Sequence, residues 1–207
     1  MSLVALLSGY LIGSIPTAGF LARARGVDLR NQGSRNPGTH NALRTGGPVL
    51  ALVVLGVEAA KGFGAVWLGS WLGDDLGAVL AGLGAVTGNV YNVWYRFQGG
   101  KGLGISLGIL AATWPTVLPV VIVVIAVAVL ATRSAGLAAL AALAALIVSA
   151  VLWAIFQRPT GGVPPDAMLV VMAMGMALVM AWKHWRDSPL NPAFRRARRR
   201  PVSPDHR

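Results

Sequence analysis

The sequence predicts an all-α integral membrane protein of seven transmembrane helices, one of them short, with the N-terminus outside and the C-terminus in the cytoplasm. Three observations carry this. Of the 207 residues, 55% are hydrophobic and only 12% charged, about half the ~25% charged share of a soluble domain; mean hydropathy is +0.64. Apolar runs approaching the roughly 20 residues that a bilayer demands recur along the whole chain. The basic residues gather beside those runs, as they do in cytoplasmic loops of membrane proteins.

The apolar segments fall at 3–21, 49–71, 76–94, 103–112, 117–131, 137–156 and 167–185. The first lacks the basic leader of a cleaved signal peptide, so it reads as a retained spanning helix. The second carries Glu58 and Lys61, three residues apart on one helix face and able to pair. Charges at that depth face a cavity or a partner, and an orienting ion pair and a catalytic pair both fit. The fourth segment is too short to span unaided; it ends at Thr113-Trp114-Pro115, an interfacial aromatic followed by a helix breaker. The sixth contains a Leu-Ala-Ala repeat suited to close helix packing, and the seventh a methionine-rich lining.

Charge placement sets the orientation. Five arginines lie between Arg23 and Arg44, and eight of the 18 basic residues lie from Lys183 onward. Seven crossings put sixteen basic residues on one side and Arg158 alone on the other, with Lys61 inside a segment. That side is the cytoplasm by the positive-inside rule. The net charge of +11 therefore points to membrane lipid as partner and not to nucleic acid, and the tail from 188 to 207 reads as a basic, disordered extension of a single domain over 1–187.

Two polar, glycine-bearing loops share this face. The first runs Gly33-Ser34-Arg35-Asn36-Pro37-Gly38-Thr39-His40-Asn41 and is followed by Arg44; the second is Phe97-Gln98-Gly99-Gly100-Lys101-Gly102-Leu103-Gly104. Backbone N–H groups, hydroxyls and fixed cations are what a phosphate requires. A glycine turn that opens a helix aims N–H groups at an anion, and Lys101 adds a point charge. The second loop is not a nucleotide P-loop, because Tyr95 and Gly102 break that pattern. His184 closes the seventh segment between Trp182-Lys183 and Trp185, residues that read as interfacial anchors. With no cysteine and three scattered histidines, no metal site or cofactor is expected. No Ser-His-Asp set or paired carboxylates suggest a hydrolase.

The order Gly13-Ser14-Ile15-Pro16-Thr17, then Gly33-Ser34-x-Asn36-x-Gly38-x-x-Asn41-x-x-Arg44, then a carboxylate before Lys61-Gly62, then Phe97-x-Gly99-Gly100-Lys101-Gly102, resembles the bacterial acyl-phosphate-dependent glycerol-3-phosphate acyltransferases. The resemblance covers about 9–139 and fades beyond. It implies an enzyme of phospholipid biosynthesis in the bacterial plasma membrane, its active site facing the cytoplasm. Such an enzyme moves a fatty acyl group from acyl phosphate to the sn-1 hydroxyl of glycerol 3-phosphate, giving lysophosphatidic acid and phosphate. The resemblance implies catalytic roles for Lys101, Arg44, Ser34 and His184. It implies substrate binding by Gly33, Asn36, Gly38, Asn41, Gly99, Gly100 and Gly102. The chain departs from the family pattern at several positions. Asn89 and Asn92 stand where the family has histidine and proline, Gly136 where it has serine, and His40 where it has threonine. The closing motif reads His184-Trp185-Arg186-Asp187 in place of His-Arg-Glu-Asn. A family relative that binds lipid or acyl phosphate without turnover, and a transporter, stand as alternatives. Against transport, the polar residues gather on one face, not at mid-membrane.

Overall fold

The computed structural model describes residues 1–199, with side chains through Arg195. Among them the chain is all helix and turn: α1 (Ser2–Ser14), α2 (Thr17–Arg23), α3 (Thr39–Val90), α4 (Leu103–Thr113), α5 (Leu118–Thr132), α6 (Ala135–Phe156), α7 (Ala167–Arg186) and α8 (Pro192–Arg199). Five helical stretches are long and apolar enough to cross a membrane: Ser2–Arg23, Thr39–Tyr95, Pro115–Thr132, Ala135–Phe156 and Ala167–Arg186. Each of the seven apolar segments is largely helical.

The first segment is not one continuous helix. Pro16, which has no N–H to donate, breaks it, and Ile15 leaves the helical region with φ −56° and ψ 121°. The carbonyls freed by the break find donors elsewhere, as backbone at membrane depth must. Ile15 O accepts from Lys61 Nζ at 2.8 Å and Ser14 O from Asn92 Nδ2 at 2.6 Å.

The 52 residues of α3 are three helical limbs, broken at Gly47 (φ 81°), before Pro48, and at Gly73–Asp74 (Asp74 φ 51°). The second break is a reversal. A Cβ built on Gly77 would lie 2.1 Å from Gly69 O, so the limbs flanking the break run back to back at backbone contact. The same device seats α4, where a Cβ on Gly108 would lie 1.8 Å from Ala59 O. Small residues substitute for a hydrophobic drive that lipid cannot supply.

Packing pairs are α1 with α3, α3 with α4, α6 with α7, and α5 with α6. The core between them contains Ile105, Ile109, Trp114, Met172, Met176 and Met180, all essentially inaccessible. After α7, Ser188 and Asn191 are buried, and α8 follows. The rest of the expected tail, 200–207, lies outside the described residues.

Candidate active site

A cavity of ≈ 870 Å³ lies where α3, α4, α5, α6 and α7 meet. Its two ends differ in chemistry. One end is lined by Ser34, Asn36, His40, Arg44, Lys101, Arg133, Ser134, His184 and Asp187; the other by Leu110, Leu118, Val121, Ile125, Leu143, Leu146, Met176 and Met180. A single space thus joins a cation-rich polar end to an aliphatic one.

The first loop is held by one side chain. Asn41 is fully buried; its Nδ2 donates to Leu29 O at 2.9 Å and Gln32 O at 3.0 Å, while its Oδ1 accepts from Ser34 N at 2.8 Å. Gly33 sits at φ 60°, and a Cβ there would lie 2.3 Å from Asn41 Oδ1. Asn41 and Gly33 therefore shape the loop and lie outside the lining of the cavity. Ser34, Asn36, Gly38 and Arg44 do line it.

The second loop is pinned from two sides. Gly99 N donates to Val90 O at 3.1 Å and Gly100 N to Asn89 O at 2.9 Å. From α7, Lys183 Nζ donates to the carbonyls of Val90, Gly99 and Gly100 at 2.6, 2.9 and 3.0 Å, and His184 Nε2–H donates to Lys101 O at 3.2 Å. That bond fixes the His184 tautomer, since a carbonyl can only accept. Gly99 again holds the turn without lining the cavity, whereas Gly100, Lys101 and Gly102 line it. Gly102 takes φ 87° to start α4, so the first-turn N–H groups of Leu103 and Gly104, which no helix satisfies, stand at the cavity wall. The positive end of the helix dipole lies there too.

Two carboxylates border the cavity. Glu58 is buried; it accepts from Lys61 Nζ at 3.1 Å to each oxygen, from Thr17 Oγ1 at 2.5 Å and from Asn89 Nδ2 at 2.6 Å. It joins the α1–α2 break to two limbs of α3. Asp187 Oδ2 meets Lys101 Nζ at 2.6 Å, and Arg186 Nε lies 3.4 Å from Oδ1. Burial pushes the Asp187 carboxyl up, but the hydrogen bonds and charges of Lys101 and Arg186 together outweigh it and hold it below the usual carboxylate value. No group of three or more metal-ligating side chains occurs among the described residues.

A family model described as "Glycerol-3-phosphate acyltransferase" matches residues 3–189. The chain belongs to the glycerol-3-phosphate acyltransferase family. Among its relatives, the glycerol-3-phosphate acyltransferase of Synechococcus sp. (strain JA-3-3Ab) is 51% identical over 119 residues, 56% of this chain and 59% of the relative. Glycerol-3-phosphate acyltransferase 2 of Moorella thermoacetica is 47% identical over 119 residues, 57% of this chain and 61% of the relative. The match thus spans about three fifths of the length of these curated relatives. Two crystal structures of PlsY (YgiH), an integral membrane glycerol 3-phosphate acyltransferase, share the fold. Its glycerol 3-phosphate form is 26% identical and its lysophosphatidic acid form 25%; each has a TM-score of 0.74 and covers 90% of this chain and 89% of its own.

In this glycerol-3-phosphate acyltransferase family member, Asn89, Asn92 and Gly136 each have contacts of their own. Asn89 supplies an N–H to Glu58, and Asn92 caps the turn Val93–Tyr95 through Trp94 N at 3.0 Å. At Gly136 a Cβ would lie 2.9 Å from His184 O and 3.0 Å from Asp187 O, room that a serine side chain would need. Ser134, two residues earlier, lines the cavity and caps α6. The sequence alone assigns no site role to Lys183, Asp187, Arg133 or Asn89, all of which the structure places at or beside the cavity. A signal for Asp187 exists: Met176, Met180, His184 and Asp187 recur at helical spacing and all line the cavity. Lys183 was masked by its tryptophan neighbours, which mark a membrane interface.

Proposed function

We propose that this chain transfers a fatty acyl group from acyl phosphate to the sn-1 hydroxyl of glycerol 3-phosphate, releasing phosphate and lysophosphatidic acid. The observation that carries this is the single cavity with a cationic end and an aliphatic end. It suits a donor that is phosphate at one end and hydrocarbon at the other. Family membership and the two PlsY forms support the reading.

In this mechanism Ser34, Asn36, Arg44, Lys101 and the start of α4 hold the phosphates, and the acyl chain lies along the aliphatic wall. The acceptor oxygen attacks the acyl carbonyl carbon, and the bond from that carbon to the phosphate oxygen breaks. Phosphate leaves with the bonding electrons and takes the hydroxyl proton. His184, held to the loop through Nε2, sits beside this step. An acyl phosphate is already activated, so positioning and charge neutralisation suffice and no covalent nucleophile is required. Seven crossings, with the N-terminus outside and the polar end of the cavity opening to the cytoplasm, follow from the basic loops at that end. The bacterial plasma membrane is the corresponding location.

Detergent-purified protein supplied with palmitoyl phosphate and glycerol 3-phosphate tests this. Phosphate release that requires both substrates, yields lysophosphatidic acid, and falls roughly 10²-fold or more in Arg44→Ala supports transfer. No release from folded protein refutes it. One observation favours the second reading, binding without turnover: Lys101 is already neutralised by Asp187. Saturable binding of palmitoyl phosphate with no product would support that reading.

A further inference from the structure

Lys183 lies in the last turn of α7, and its ammonium is not placed as a surface anchor would place it. Such a lysine extends its charge to water or headgroups. This one spends all three N–H donors on main-chain carbonyls: Val90 O, Gly99 O and Gly100 O at 2.6, 2.9 and 3.0 Å. Among the described residues it forms no ion pair. The next carbonyl along, Lys101 O, is taken by His184, the next residue on α7. Three successive loop carbonyls are thus turned toward one helix end.

A peptide unit is planar and trans, so fixing a C=O fixes the N–H of the following residue in the opposite direction. Holding Gly100 O directs the Lys101 N–H away from α7, and holding Lys101 O does the same for the Gly102 N–H. Lys101 and Gly102 line the cavity, and neither N–H has an acceptor within the described residues. Val90 ends α3, so the ammonium also covers the negative end of that helix. Its charge is in no ion pair among the described residues, and it adds to the potential that an anion meets at the loop.

We infer that Lys183 is a positioning residue: it clamps the Gly99–Gly100 turn so that the backbone of Lys101 and Gly102 faces the cavity as an anion cradle. This rests on the proposed acyl transfer for its role in turnover, but not for its effect on the loop. Two variants separate donor loss from packing loss. Lys183→Met keeps the stem and removes the donors; Lys183→Arg keeps donors. Three readouts are compared in detergent-purified, full-length protein: amide hydrogen exchange over 97–106, orthophosphate binding by calorimetry, and transfer from palmitoyl phosphate.

In Lys183→Met, exchange at 99–102 rises at least about tenfold and orthophosphate affinity falls about tenfold. Peptides from α1 and α6 exchange as in the wild type. Turnover falls roughly 100-fold, and Lys183→Arg recovers most of each loss. Unchanged loop exchange or unchanged phosphate affinity in Lys183→Met overturns the assignment. So does exchange raised across the whole molecule, which marks a general packing residue, and so does a wild type that binds no orthophosphate. Wild-type protein without transfer activity, whose loop still binds phosphate in a Lys183-dependent way, sinks the transfer reaction and leaves the clamp standing.

Discussion

Replacing Lys61 by methionine removes one half of a buried ion pair and leaves the other half in place. The side chains of Glu58 and Lys61 are each 7% exposed, 3.1 Å apart. Breaking such a pair costs about 3–5 kcal/mol, because the surviving charge stays buried without its partner. Glu58 keeps donors from Thr17 and Asn89, which holds the cost near the lower figure, about 3 kcal/mol. The Ile15 carbonyl loses its Lys61 donor as well, adding about 1 kcal/mol. At roughly 2–4 °C per kcal/mol for a chain of this size, Lys61→Met should lower the unfolding midpoint by about 10 °C. Tryptophan fluorescence of the detergent-solubilised protein, which has 7 tryptophans, reads this directly. The double variant Glu58→Gln/Lys61→Met removes both charges while leaving an amide oxygen for Asn89 and an amide N–H that the Thr17 hydroxyl can accept, and should regain at least half the loss. A single variant within about 2 °C of wild type would show that the pair is not a buried electrostatic unit. A double variant no better than the single would show that the cost lies in lost packing.

Asn89→Asp puts a second carboxylate where Glu58 now receives a hydrogen bond at 2.6 Å. It should cost about 2–3 kcal/mol and abolish transfer, whereas Asn89→His, which retains an N–H donor, should fold and turn over; melting and activity of the two variants check this. Asp187 titrates below the usual carboxylate value in the folded protein, so its contribution to stability is complete above about pH 4 and is lost as pH falls through the lowered folded value. Melting followed from pH 7 to pH 3 should therefore show a steeper acid limb for wild type than for Asp187→Asn, and parallel curves would refute the pairing.

The helical segments were legible because lipid tolerates little ambiguity: an apolar run in this context is a helix. Boundaries were less so. Pro16 was visible, yet the run reads through it, since the compensating donors on Lys61 and Asn92 lie 46 and 78 residues along the chain. Glycine contributed in the same hidden way; that Gly69 and Gly77 touch across a reversal depends on Gly73–Asp74 adopting a turn inside an otherwise helical pattern. At the site, residue types marked the two loops but not the division of labour within them. Asn41 and Ser34 look alike as polar loop residues, and only packing sends one inward to bind carbonyls and the other to the cavity. Lys183 and Asp187 act on the loop from more than 80 residues away, a distance that local pattern does not register.

Helix α5 has no buried residue and packs chiefly against α6, yet Leu118, Val121, Ile122 and Ile125 form one side of the cavity. Only the thickness of one weakly held helix therefore separates that space from the surrounding lipid. Under the proposed reaction, a hydrocarbon chain would reach it by lateral diffusion past α5 and need never be carried through water. For such a route the governing quantity is the ratio of donor to lipid in the plane of the bilayer, and the bulk molarity of the suspension drops out. Diluting the donor with inert phospholipid at fixed total volume would slow loading, and stiffening the acyl chains around α5 would slow it further. The rate of the proposed reaction would then track the physical state of the very membrane it helps to build.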